Sequence, residues 1–133
     1  MAEKERKIFS LAAANSMVPL LADFTAEAVQ QLDSIRKKYQ VDLSSGKLSV
    51  PEHAWLEVEQ ILLHWSDRII ELGGYPKGYF TVDLQSVHPE TLYCWTLGED
   101  AITHTHRIWE NFSHRRPLVE SSDRPGDHLK WVN

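Results

Sequence analysis

Apolar side chains recur at steps of three and four residues through the first half of the chain. The first run extends from about residue 18 to residue 40 and has the period of an amphipathic helix. Ser10 is positioned as the N-cap of a short helical turn over residues 11–15, and Pro19 should kink this segment or start a second helix. The apolar positions of the run are Leu21, Phe24, Ala28, Leu32, Ile35 and Tyr39.

A second, more regular apolar stripe follows the polar break at residues 44–46. Pro51 suits the first turn of a helix, and Gly73-Gly74 should end it. Two helices of roughly 30–35 Å joined by a short loop predict an antiparallel helical hairpin over residues 8–74. We expect both tryptophans of the stripe to be core residues. The stripe consists of Trp55, Val58, Leu62, Trp65, Ile69 and Leu72.

The period changes after the glycines, where β-branched and aromatic residues cluster in residues 79–84 and 91–97. The turn-prone residues 86–90 separate these segments, so together they predict a β-hairpin. Residues 101–104 can add a third strand, and residues 108–114 should return to helix before Pro117. The predicted fold is therefore α+β, with an antiparallel two-helix hairpin, a small antiparallel β-unit and a short C-terminal helix.

Composition and charge narrow the class of protein. The 133 residues are 42% hydrophobic and 25% charged, which predicts a single globular domain over residues 1–133. Within it, residues 75–118 hold the β-unit and short helix, and residues 119–133 form a polar tail. The net charge of −5 repels nucleic acid.

The cysteine count and the absence of long apolar runs bear on the compartment. No run approaches the roughly 18 residues needed to cross a bilayer, and the charged start lacks a signal-type apolar stretch. Cys94 is the only cysteine, so an internal disulfide is impossible and a reducing compartment fits. We expect a cytoplasmic protein that binds neither nucleic acid nor membrane.

Short motifs at both ends of residues 7–118 resemble a known family. The matching positions are Phe9-Ser10, Ala14-Asn15, Pro19-Leu20-Leu21, the block 92–99 with Cys94-Trp95 and Gly98-Glu99, then His106, Phe112, Arg115 and Pro117-Leu118. Together they resemble a bacterial family catalogued as domain of unknown function 2203. The resemblance implies a shared architecture but no particular activity, because none is established for the family.

Four of the seven histidines fall between residues 88 and 114. His104 and His106 project to one face of an extended strand, and Glu110 lies one turn after His106 if a helix begins there. Two imidazoles and a carboxylate suit zinc or iron with open positions. We therefore predict His104, His106 and Glu110 as metal ligands. The alternative is that these histidines line a polar surface and bind no metal.

Cys94 and two acidic residues nearby are also candidates for chemistry. Cys94 lies centrally in an apolar strand, where it is either a small buried hydrophobe or, with a base beside it, a nucleophile. Glu99 or Asp83 could orient an imidazole or act as a general base. Glu99 is equally consistent with an ordinary turn residue after Gly98.

Arginines and tryptophans complete the predicted ligand site. Arg115 and Arg116 could clamp a carboxylate or phosphate, or form salt bridges between elements. Trp95 and Trp109 bracket the histidines and could wall a pocket, line a subunit interface or pack in the core. The candidate small-molecule contacts are Trp95, Trp109, Arg115, Glu99 and Cys94.

Two hypotheses of different class follow. In the first, a metal or small-ligand site lies at the junction of β-unit and last helix, in what could be a small metal-dependent enzyme. In the second, the hairpin is a dimeric interaction module without catalytic activity. A homodimer is expected in either case, because Val29, Ile61 and Ile70 lie outside the main apolar stripes.

Overall fold

The computed structural model describes residues 7–39 and 52–118, which form two long helices and one antiparallel sheet. This confirms the predicted α+β class. Neither helix in these ranges combines the length and apolar character needed to cross a bilayer. Helix α1 spans Leu11–Lys38 and helix α2 spans Glu52–Glu71. The five strands, adjacent in chain order, are β1 Tyr75–Lys77, β2 Thr81–Gln85, β3 Thr91–Thr96, β4 His104–Arg107 and β5 Arg116–Pro117.

Helix α1 is longer than the sequence pattern indicates. Ser10 is its N-cap, with the side-chain oxygen accepting a hydrogen bond from the Ala13 N–H, as predicted. The helix then continues through Pro19, so the alternative in which a second helix starts at this proline is wrong. A proline removes only one helical hydrogen bond, and buried residues on both sides of it, Ala14 and Val18 before and Leu21 after, anchor the helix.

Helix α2 packs against α1 through Trp65, which is buried as predicted. The Trp65 indole N–H donates to the Thr25 hydroxyl of α1 over 2.8 Å, so the polar atom of this large side chain is satisfied. The helix ends before Gly73, whose φ of +96° is the left-handed conformation that favours glycine.

The expectation that Trp55 lies in the core is wrong, because 47% of its surface is exposed. The inward positions in the first half of α2 are Ala54 and Ile61 instead. A strict three-four spacing has a period of 3.5 residues, whereas the helix has 3.6, so the stripe rotates by about 20° per heptad. A stripe that faces α1 at Trp65 and Ile69 therefore turns away from α1 toward the start of α2.

Strands β2 and β3 form the predicted β-hairpin, with Asp83 opposite Cys94. The strand predicted over residues 101–104 corresponds to β4 of the structure, which begins at His104. Ile102 lies outside the strand. Its side chain is buried in the core, and its N–H donates to the Asn15 side chain of α1 over 2.7 Å.

The short C-terminal helix predicted over residues 108–114 is replaced by a single 3-10 turn, Phe112–His114. The Asn111 side chain accepts a hydrogen bond from the Ser113 N–H and caps this turn. Glu110 turns back to the Arg107 N–H. Such local side-chain bonds compete with a continuous helix, and the chain goes on to pair β5 with β4.

The two faces of the sheet differ in chemistry. Side chains alternate along a strand, so Val82, Tyr93 and Trp95 point to the helices and belong to the hydrophobic core. The intervening residues Asp83 and Cys94 point to the opposite face, yet they are also buried. That opposite face, called the outer face below, carries the candidate site.

Candidate metal centre

Three neighbouring strands each place one potential metal ligand on the outer face. Asp83 comes from β2, Cys94 from β3 and His106 from β4, and their ligand atoms all lie within 4.8 Å of one another. The three residues are 1%, 0% and 4% exposed. Carboxylate, thiolate and imidazole are the donors that proteins use for zinc. The group could therefore hold a metal ion.

Both nitrogens of His106 have defined partners. Nδ1 donates to the Arg107 carbonyl over 2.7 Å, and Nε2 lies 3.0 Å from the Asp83 carboxylate. The hydrogen bond to Asp83, supported by one with Cys94, raises the pKa of His106 to about 10 against the opposing effect of burial. The metal-free protein therefore holds a buried imidazolium–carboxylate pair at neutral pH.

Cys94 is enclosed between this pair and Arg115. The Arg115 guanidinium lies 3.4 Å from the Cys94 carbonyl and 3.8 Å from its Sγ atom. A nucleophilic cysteine needs a base with a free nitrogen, and both nitrogens of His106 are engaged. The arrangement therefore suits a ligand or structural thiol better than a nucleophile.

Arg115 and Glu99 lie together beside Cys94, but they bind each other. Arg115 Nη2 is 2.6 Å from Glu99 Oε2, and Glu99 Oε1 accepts a hydrogen bond from the Thr96 N–H over 2.9 Å. This pair fixes the turn after β3 to the segment before β5. The salt-bridge alternative for Arg115 thus describes its main contact.

The structure does not bring His104 and Glu110 to the same point as His106. His104 Nδ1 bonds the Thr103 hydroxyl over 2.8 Å, and burial and the Arg115 charge lower the pKa of His104. Glu110 is bound by Arg116 over 2.7 and 2.9 Å. Of the predicted metal ligands, only His106 belongs to a group of three donors within the described ranges.

The two candidate tryptophans lie apart from the three donors. Trp95 points to the helices, and its indole N–H donates to the carbonyl of Glu99 in the turn after β3 over 2.9 Å. Trp109 is 66% exposed, near the Arg107 guanidinium. Neither side chain lines the cavity described next.

A cavity of about 550 Å³ adjoins the donor group, with Asp83 and His106 in its wall. Its size is within the range of small-molecule sites. The lining comes from the outer face of the sheet, from residues 77–79, from Ile108 and from residues 110–113. The side chains used below are Lys77, Tyr79, Leu92, Ile108, Glu110 and Phe112.

Asp83 is not among the residues that the sequence pattern predicts as metal ligands. A signal for it exists in the predicted hairpin. A turn centred near residues 88–89 pairs Asp83 with Cys94, and the strand period of two then puts both on one face. Only the position of His106 depends on the register of β4 against β3.

Comparison with known proteins identifies a family without a described activity. No curated protein and no solved structure matches the chain. Residues 7–118 match one family. Five of the positions that resemble the family lie in or beside the donor group and its cavity, namely Cys94, Glu99, His106, Phe112 and Arg115. The chain therefore belongs to the family described as "Uncharacterized conserved protein (DUF2203)".

Proposed function

We propose that Asp83, Cys94 and His106 bind a divalent transition metal ion and that the adjoining cavity admits a small molecule to it. The observation that carries the proposal is the convergence of three donor atoms within 4.8 Å from three adjacent strands. A thiolate in the set favours zinc over iron, since iron sites with two histidines and a carboxylate lack this soft ligand. A reducing compartment such as the cytoplasm would keep the thiol available.

The contacts around His106 support this proposal. Histidines that bind metals commonly donate their second ring N–H to a backbone carbonyl or a carboxylate, which fixes the ring. His106 does this through Nδ1 and the Arg107 carbonyl, so Nε2 faces Asp83. A metal would take the place of the proton between these two groups.

The cavity supports a chemical role rather than a purely structural one. Three protein ligands leave a fourth position for water or substrate in zinc sites that carry out catalysis. Asp83 and His106 line the cavity as well as the donor group, so a small molecule there would lie beside the ion. The proposed class is a small metal-dependent enzyme in which the ion polarises a bound oxygen.

Metal titration of the purified chain tests the proposal. We expect stoichiometric zinc uptake, and cobalt should give the near-ultraviolet absorption of a thiolate ligand. Asp83→Asn, Cys94→Ser and His106→Gln should each weaken zinc binding by about 100-fold or more. Cys94→Ser should also remove the cobalt–thiolate absorption.

His104→Gln and His114→Gln are the matched controls, because neither residue belongs to the donor group. Both variants should bind zinc as the parent protein does. The proposal fails if the parent protein takes up no zinc or cobalt, or if the control variants lose as much affinity as His106→Gln.

The alternative function, a dimeric interaction module, has one specific observation in its favour. Large apolar side chains of α2 are exposed along one side, and burial of such a patch stabilises association. We expect sedimentation velocity to detect a dimer at tens of micromolar, and Leu63→Lys to shift it to monomer. Monomer alone in the parent protein would contradict this. The exposed residues are Trp55, Leu56, Leu62, Leu63 and Ile70.

A further inference from the structure

The charges around the cavity favour an anionic ligand. Asp83 is paired with His106, and Glu110 is bound by Arg116, so both carboxylates in the wall are neutralised. Lys77 is exposed and forms no ion pair with residues 7–39 or 52–118. The cavity therefore carries one uncompensated positive charge, to which a bound metal would add.

The mouth of the cavity favours an apolar body on the same ligand. Ile108 is 54% exposed and Phe112 is 47% exposed, although both line the cavity together with the buried Leu92. The Phe112 ring is held by the Arg115 guanidinium, whose central carbon lies 4.4 Å from the ring centroid. These apolar surfaces stay in water unless a ligand covers them.

Tyr79 adds an aromatic ring that the fold does not use. It is 99% exposed, and its φ of +58° is a left-handed conformation that disfavours a side chain as large as tyrosine. The next residue, Phe80, has a φ of +55°, but its ring packs on Trp65 at 5.1 Å and so contributes to the core. Tyr79 has no such packing to offset its conformation, and it is one of the residues that line the cavity.

We propose that this cavity binds a small organic anion with a flat apolar body, and that Tyr79 is a binding residue for it. The anionic group lies toward Lys77 and the metal position, and the flat body packs against Tyr79 and Phe112. The inference rests on the proposed function in taking this cavity as the ligand site, but the contacts with Lys77 and Tyr79 do not require the metal.

Two probes of the same shape test the inference, namely 2-naphthoate and its neutral analogue 2-naphthamide. Binding is measured from backbone amide chemical shifts of the full chain, once with EDTA and once with zinc. With EDTA, 2-naphthoate should bind about tenfold or more tightly than 2-naphthamide, with the largest shifts in residues 77–81 and 106–113. Lys77→Gln should remove this preference.

Substitutions at Tyr79 separate ligand binding from folding. Tyr79→Asn removes the ring but tolerates the left-handed backbone, so it should weaken 2-naphthoate binding about tenfold without lowering the urea midpoint of unfolding. Tyr79→Phe should retain binding. Trp109→Ala is the matched control, because this exposed ring lies outside the cavity lining, and it should leave binding unchanged.

The outcomes distinguish this inference from the metal proposal. Absent binding of 2-naphthoate, equal affinity for both probes, or unchanged affinity in Tyr79→Asn would overturn the inference even if zinc binds. If zinc does not bind but the EDTA measurements follow the expected pattern, the inference stands and the metal proposal fails.

Discussion

His106→Ala should lower the free energy of unfolding of the metal-free protein by about 3–5 kcal/mol, because it leaves the Asp83 carboxylate buried without its partner. Asp83 is only 1% exposed, and its Oδ1 atom accepts from His106 Nε2 over 3.0 Å. A buried charge that loses its counter-charge costs far more than a lost surface contact. Urea unfolding with EDTA present measures the difference.

The double variant Asp83→Val/His106→Leu is the matched control. It removes both charges and fills the strands with apolar side chains, so its stability should lie within about 1–2 kcal/mol of the parent protein. That result would show that the pair is not needed for folding, which agrees with a role in binding. A single variant as stable as the parent would contradict the buried ion pair.

The second large effect is a loss of stability of the metal-free protein as pH rises above about 6.5. The pKa of His106 is raised to about 10 in the folded protein, chiefly by the hydrogen bond to Asp83. Its unfolded pKa is about 6.5. Between these values the folded state holds one more proton than the unfolded state. The stabilisation is therefore complete below 6.5 and is lost as pH rises through about 10, by up to about 1.4 kcal/mol per pH unit.

Unfolding curves collected with EDTA from pH 6 to pH 10 measure this slope. Asp83→Val/His106→Leu lacks the titrating pair, so the difference between its curve and that of the parent isolates the contribution of His106. Parallel curves for the two proteins, or a parent protein that gains stability relative to the variant with rising pH, would contradict the assignment.

The sequence predicted part of the donor group, namely His106. His106 was predicted as a ligand because it lies two residues from His104 on a strand, and the structure places it in a donor group. Glu110 was predicted through a helix that does not form, and Arg116 binds it instead. The helix prediction was wrong there because the segment's local hydrogen bonds and its pairing with β4 outweigh its helical tendency.

Local periodicity was sufficient for the helices and the first β-hairpin. Trp65 and Ile69 recur at helical spacing and are buried, and the turn between β2 and β3 pairs Asp83 with Cys94. Both features depend on residues close in sequence, so the side-chain pattern alone determines them. The Ser10 cap is local in the same sense.

Only the tertiary structure determined that His106 shares the outer face with Asp83 and Cys94. Asp83 and His106 are 23 positions apart, and their contact requires the register of β4 against β3, which places His106 opposite Leu92. The exposure of Trp55 is likewise seen only in the structure, where the 3.5-residue stripe turns away from α1 toward the start of α2. Such pairings form between distant segments whose own patterns do not specify their partners, so the site emerges only when the sheet and the covering segment assemble.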